Sequence, residues 1–310
     1  MKVLDYIFFT RSILILPMFT IMLLGVRAAD LREGASPFFS AGIPGNAAQV
    51  FLMMLYTLLI YGAVYIYNQI HDIESDRANG KLYFLPKELI SIKNAYIFLF
   101  ILAALALVGA YREGFAMGLV FTAIALTGFL YSYPGTNYKG RAGKALWSNI
   151  IGCGALPFLI GWVLVTGSIT LEAVLKSVPY MMAVGAVYFN TILPDKEGDR
   201  VAGKKTFALS WSVKHVQSSA LFRIFLAVLT GLMAGDFAIF IAALICVPFF
   251  VHALVKREIK ESVLASKISI LVLALFAGIY FPLYAILFVV IVLATRVYYK
   301  NRFDVNYPAV

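Results

Sequence analysis

Cysteine is scarce in this chain of 310 residues: there are two, Cys153 and Cys246, both inside apolar runs. Two such residues give no disulfide framework and no cysteine metal site, and they read as small buried hydrophobes. Charge is scarce as well. Asp, Glu, Lys and Arg together make up 14% of the chain, against roughly 25% in a soluble globular protein. That shortage, with a mean hydropathy of +0.87, excludes a soluble enzyme, a disordered chain and a fibrous repeat. Acidic residues are the rarer sign, 16 against 26 basic.

Hydrocarbon fills the rest: 62% of the residues are apolar. A membrane span takes roughly 20 residues, which leaves room for about nine or ten spans and little for a soluble domain. Apolar runs bounded by charge, Gly or Pro fall near 8–27, 47–67, 91–111, 114–133, 145–167, 171–190, 216–235, 236–255, 264–280 and 283–299. Gly235-Asp236 and Gly278–Pro282 mark tight turns between neighbours. The reading is a single all-α, polytopic helical membrane domain over 1–310, with nine or ten transmembrane helices. The first run, with no small-residue cleavage site behind it, reads as a retained helix.

The basic residues sort by loop. Of the 26, 21 fall in 1–11, 68–93, 134–144, 191–214, 255–267 and the end from Arg296 onward. These loops share one side if the N-terminus starts there. The other side holds Arg27, Arg32, Arg112 and Lys176, and Arg223 lies within a span. The asymmetry places the first set in the cytoplasm of a cell that carries the chain in its plasma membrane. The net charge of +10 is therefore topology, and no basic-aromatic module for nucleic acid is present.

The acidic minority is patterned. Residues 72–81 read DIESDRANGK and residues 195–204 read DKEGDRVAGK, each after an apolar span and an asparagine, Asn68 or Asn190. Four spans separate the copies, so both loops face one side, as a parallel pseudo-symmetric pair across a shared cavity. Asp72 and Asp76, and likewise Asp195 and Asp199, stand at i and i+4. On a helix they share one face, about 6 Å apart along the axis, where they can hold divalent ions. Mg²⁺ takes one or two carboxylates and completes its shell with water and phosphate oxygens, so two such pairs suggest a phosphate-bearing ligand between two metal sites. Asn68 extends the first face with a neutral oxygen. Arg77 and Arg200, Lys81 and Lys204, and the cluster Lys139, Arg141 and Lys144 are the candidate grips for diphosphate oxygens. Glu74 and Glu197 point off the aspartate face, and His71 reads as a solvated loop residue.

These motifs resemble the UbiA superfamily of intramembrane prenyltransferases. Asn68, Asp72 and Asp76 match its N-x-x-x-D-x-x-x-D loop, and Asp195 and Asp199 match its D-x-x-x-D loop. Tyr131-Ser132, the 139–144 cluster and Asn149 are similar to the family's basic loop, and Arg11 with Pro17 to the start of its first helix. The first acidic loop departs by continuing Lys81-Leu-Tyr-Phe-Leu-Pro86 in place of an N-R-P-x-R-P run. The family usually has nine helices, whereas the span count here reaches ten with a basic C-terminal end inside.

The resemblance implies Mg²⁺-dependent transfer of an isoprenyl group from a polyprenyl diphosphate to a hydrophobic acceptor. Two ions would be held by the four aspartates and Asn68, with the first metal loop at 68–81, the basic loop at 134–144 and the second metal loop at 190–206. Arg11, Arg77, Tyr131, Lys139, Arg141, Lys144, Arg200 and Lys204 would contact substrate. Tyr61, Tyr65, Tyr131 and Tyr188 are candidate aromatic faces for an allylic cation. An aromatic quinone precursor is the expected acceptor and a glyceryl-phosphate lipid the alternative. An ion-coupled transporter is the rival from another class, but transporter carboxylates usually sit at mid-membrane on broken helices.

Overall fold

The computed structural model describes residues 2–32, 47–78 and 84–308. A short helix α1 (Lys2–Phe9) leads into α2 (Ser12–Arg32), followed by α3 (Ala47–Ile70), the six-residue α4 (Ile73–Ala78), α5 (Ile92–Glu113) and α6 (Phe115–Ser132). A 3₁₀ turn at Tyr138–Gly140 precedes α7 (Ala142–Asn149), which runs through the π-helical turn Ile150–Ala155 into α8 (Leu156–Thr166). Then come α9 (Leu171–Thr191), α10 (Lys196–Val201), α11 (Phe207–Ser210), α12 (Val213–Met233), α13 (Phe237–Lys256), α14 (Ile259–Tyr280) and α15 (Pro282–Phe303).

Helix boundaries follow local chemistry. Ser91, Thr170, Ser212 and Asp236 each accept a backbone N–H from the first turn of the helix they precede. Gly235 adopts φ +66°, a conformation that favours glycine, and Asp236 then caps α13 through Ala238 and Ile239. Pro282 starts α15 at its first turn, where a missing N–H costs nothing.

Nine segments among the described residues are long and apolar enough to cross a membrane: α2, α3, α5, α6, α7–α8, α12, α13, α14 and α15. The chain is a multi-pass membrane protein. Helix α9 is as long as these but carries Glu172 and Lys176 near its start and Pro179 inside. Its course follows from its ends. α10, just after α9, packs on α4, just after α3, so the ends of α3 and α9 lie on one face of the bundle. Helices α5, α6 and α7–α8 between them make an odd number of traverses, and α9 supplies the fourth. The end of α15 returns to the same face, where Arg302 pairs with Asp5 of α1. The described residues therefore make ten traverses, with both described ends of the chain on one face.

α2 is apolar all round and almost wholly enclosed, in contrast to α5 or α15, whose outward faces stay exposed. It crosses α8 at backbone contact. A Cβ on Gly161 would lie 1.9 Å from the Met22 carbonyl oxygen, and one on Gly25 would lie 2.2 Å from that of Phe158. Small residues allow this approach, which a lipid-embedded bundle needs because dispersion and packing must hold helices together there. Inside α7–α8, the π turn widens the helix, and the Tyr61 hydroxyl donates to the Gly152 carbonyl. Asn149 and Cys153 both face a central cavity.

Candidate active site

The two acidic motifs fold alike. Asp72 directly precedes α4 and Asp76 is the fourth residue of that helix; Asp195 directly precedes α10 and Asp199 is its fourth. In each, the second aspartate's N–H donates to the first's carbonyl, at 2.8 Å and 2.9 Å. The i and i+4 spacing is thus one helical turn in both copies, as expected from sequence.

Basic side chains join the two turns. Lys204 Nζ lies 3.1 Å from Asp199 Oδ1 and 3.5 Å from Asp72 Oδ1, and Lys139 Nζ lies 2.9 Å from the same Asp72 oxygen. Arg11 Nη2 is 3.9 Å from Asp76 Oδ2. Lys204 is placed by a turn through Gly203 (φ +64°) in which its own N–H donates to the Asp199 carbonyl. Lys139 is placed by the 3₁₀ turn, which a short parallel bridge stitches to the second acidic loop: Lys205 N–H donates to Gly140 and Ala142 N–H to Lys205. Burial pushes the Lys139 ammonium below its ordinary pKa although Asp72 pulls the other way. Burial also opposes the charge on Lys204, but Asp72 and Asp199 outweigh it and raise its pKa. The two lysines differ because Lys204 faces two carboxylates and Lys139 one at contact distance.

Other residues fall in place around this centre. Asn68 Nδ2 donates to Ser132 Oγ at 3.1 Å. Tyr131 stands near Asn149, Asp72 and Lys204. Four of the expected basic contacts are not drawn in. Arg77 and Arg141 are exposed, Arg200 pairs with Glu197, and Lys144 lies 4.7 Å from the Tyr138 ring centroid. Lys81 lies outside the described residues. His71 corrects the expectation of a solvated residue: it is half-buried, edge-on to Tyr67, and burial lowers its pKa.

Beneath the charged face lies a cavity of about 730 Å³, with Arg11, Asp195 and Asn149 on its wall and side chains of α2, α9 and α14 beyond them. Along α2 it reaches from Arg11 to Ile21, about 15 Å at the helical rise. Of the four tyrosines expected to face a cation, Tyr65 and Tyr188 line this space; Tyr61 is tied to the π turn and Tyr131 belongs to the charged face. Two wall tyrosines, Tyr299 and Tyr307, were not foreseen. No sequence signal marks them, since their position depends on how the chain turns after α15.

The sequence model of the UbiA prenyltransferase family matches residues 34–267. The chain belongs to the UbiA prenyltransferase family. The match spans both aspartate turns and the basic loop. The fold is that of solved UbiA structures. One is a UbiA homologue from Archaeoglobus fulgidus bound to GPP and Mg²⁺, with TM-score 0.67, 18% identity and coverage of 91% of this chain and 99% of that one. Another is a digeranylgeranylglyceryl phosphate synthase, with TM-score 0.66, 18% identity, and 90% and 97% covered. A third is the apo UbiA homologue from Aeropyrum pernix K1, with TM-score 0.66, 16% identity, and 87% and 97% covered. A protoheme IX farnesyltransferase of Chloroflexus aurantiacus is 37% identical over 93 residues, which is 29% of this chain and 15% of that relative's length.

Proposed function

We propose that this UbiA-family protein transfers an isoprenyl group from a polyprenyl diphosphate to an aromatic, quinone-precursor acceptor within the membrane, releasing diphosphate with Mg²⁺ as cofactor. One observation carries the reading: two matched aspartate turns are bridged by Lys204, and Asp195 of the second turn lines, with Arg11, a deep and mostly apolar cavity. A ligand with a highly charged head and a hydrocarbon tail suits that boundary.

The donor set fits Mg²⁺. Its atoms are hard oxygens, from Asp72 and Asp76 with the Asn68 amide and from Asp195 and Asp199. No three His, Cys, Asp or Glu side chains converge among the described residues. Each ion would thus find at most two protein carboxylates and need water and phosphate oxygens for the rest, as Mg²⁺ prefers. Charge requires the same. Arg11, Lys139 and Lys204 do not balance four carboxylates, and a diphosphate adds about three more negative charges. Bound Mg²⁺ would supply the charge neutralisation that a diphosphate beside these aspartates requires.

The remaining work belongs to the chain. Lys139, Lys204 and Arg11 offer ammonium and guanidinium donors where negative charge grows as the allylic C–O bond breaks and its electron pair goes to the diphosphate oxygen. The walls of α2, α9 and α14 hold the prenyl tail and exclude water. Tyr65 and Tyr188 present ring faces to the allylic cation, which an electron-rich acceptor carbon then attacks, losing a proton to restore aromaticity.

A second reading, geranylgeranyl transfer to a glyceryl-phosphate lipid, is favoured by the shared fold with the digeranylgeranylglyceryl phosphate synthase. An ion-coupled transporter is disfavoured because all four aspartates sit in or beside six-residue helices at span ends. The distribution of 21 against four basic residues supports a cytoplasmic site in the plasma membrane. The test is purified protein with Mg²⁺, prenyl diphosphates of several lengths and a panel of acceptors, with product mass read directly. Asp72→Ala and Asp195→Ala should each abolish transfer while the protein still inserts, and chelation should stop diphosphate release. Undiminished transfer in either variant, or in EDTA, defeats the assignment.

A further inference from the structure

The family match ends at Lys267, yet part of the cavity wall lies well past it, on α15 and the residues that follow. Asp304 takes a left-handed conformation (φ +56°), its N–H donates to the Lys300 carbonyl, and Val305 N–H donates to Tyr299. The Lys300 to Asp304 ion pair, 2.6 Å, closes this turn. The chain thereby reverses, and Tyr307 packs on Tyr299 with ring centroids 4.7 Å apart. Tyr299, Val305 and Tyr307 all line the cavity together with Arg11.

This wall is braced from α1. Arg302 reaches both oxygens of the buried Asp5, at 3.1 and 3.2 Å, Tyr298 donates to the same carboxylate, and Phe8 stacks on Tyr298 at 3.9 Å. α1 then delivers Arg11, itself left-handed at φ +56°, beside Asp76. The segment after α15 and the first helix thus meet at Arg11, which lines the apolar cavity on one side and pairs with Asp76 of the charged face on the other.

We propose that the segment Tyr299–Tyr307 is the seal that makes the allylic cation meet its acceptor instead of water. The inference rests on the prenyl-transfer reading above. If water reaches the cation, its oxygen bonds the allylic carbon, a proton is lost, and prenol leaves beside diphosphate. Diphosphate release is then uncoupled from transfer. Tyr299 and Tyr307 are positioning residues in this scheme, acting by occupying the mouth.

Two measurements on the full-length protein in detergent or nanodiscs test it, using Tyr307→Ala, a deletion of Val305–Val310, and Tyr307→Phe. The first is the ratio of prenol to prenylated acceptor, which a simple loss of fold would not move. It should rise by roughly tenfold in the alanine variant and the deletion, a change of about 1.4 kcal/mol in relative barrier, and stay near wild type in Tyr307→Phe, which keeps the ring. The second needs no turnover. Cys153 lines the same cavity, and its labelling by a charged, water-borne thiol reagent, located by peptide mass, should speed up in the alanine variant and the deletion. Wild-type labelling rates in both would overturn the proposal, as would unchanged product ratios. Failure of the prenyl-transfer reading would look different: no diphosphate release from wild type with any donor, while the labelling comparison still decides whether the segment seals the cavity.

Discussion

Lys204→Met removes the charge that joins the two aspartate turns and keeps the length of the side chain. In the native site its ammonium is 3.1 Å from Asp199 and 3.5 Å from Asp72, with the lysine side chain 16% exposed. Losing one partner of a buried ionic cluster costs about 3–5 kcal/mol. Here Lys139 remains on Asp72 and some water reaches the site, so about 1–3 kcal/mol is expected. The two carboxylate oxygens can lie no farther apart than those two contacts laid end to end, and at an effective dielectric of 20 they repel by about 2.5 kcal/mol or more. A divalent cation can take over the neutralisation. Thermal unfolding in detergent should therefore show the variant well below wild type in EDTA, with Mg²⁺ returning more stability to the variant than it adds to wild type. Equal unfolding in EDTA would refute the bridging role of Lys204. An Mg²⁺ increment no larger than in wild type would refute the aspartates as a cation site. With donor present, loss of one charge-assisted phosphate contact, about 1.5–3 kcal/mol, should lower kcat/KM by roughly 10- to 150-fold.

Three further outcomes follow from packing and titration. Gly161→Ala places a Cβ 1.9 Å from the Met22 carbonyl oxygen, a backbone atom that cannot step aside, so it should destabilise by about 3 kcal/mol in thermal or denaturant unfolding. Gly143→Ala, whose Cβ meets nothing within 4 Å, is the control and should unfold at or slightly above wild type, since Ala favours helix. Burial opposes ionisation of Asp5, but hydrogen bonds from Tyr298 and Arg302 win and hold its pKa below the ordinary carboxylate range. A carboxyl depressed in the fold adds stability that is complete above its unfolded value near 3.9 and is lost as pH falls through the folded value. The difference in stability between wild type and Asp5→Asn should thus be constant at neutral pH and shrink below about pH 4; a difference that persists at pH 2 would show that the charge is not what braces α1.

Much of the site was legible along the chain because its signal is local. Asp72 with Asp76, and Asp195 with Asp199, share a turn by spacing alone, and each turn follows a span, so their common face follows from counting spans between the copies. The basic residues were harder to rank. Lys139 and Lys204 reach the aspartates from loops that one parallel bridge, between Arg141 and Lys205, holds together, whereas Arg77, Arg141, Lys144 and Arg200 look equivalent in sequence and stay outside. Helix α9 lies between these cases, since its apolar run at 171–190 is visible in the sequence. Its Glu172, Lys176 and Pro179 weaken the hydropathy signal, yet contact between α4 and α10 requires it to traverse the bundle.

The shortage of cysteine and charge, the apolar runs and the duplicated D-x-E-x-D-R-x-x-G-K motif determined a helical membrane protein with two equivalent acidic turns, because hydropathy and helical period act over a few residues. Tertiary structure decided which cations enter the centre, which tyrosines face the cavity and what closes it. Those choices depend on contacts between residues far apart in the chain, from Lys139 with Asp72 to Arg302 with Asp5. Asp5 with Arg302 and Arg11 beside Tyr307 have no local signature, and only the folding of both ends of the described chain onto one face brings them together.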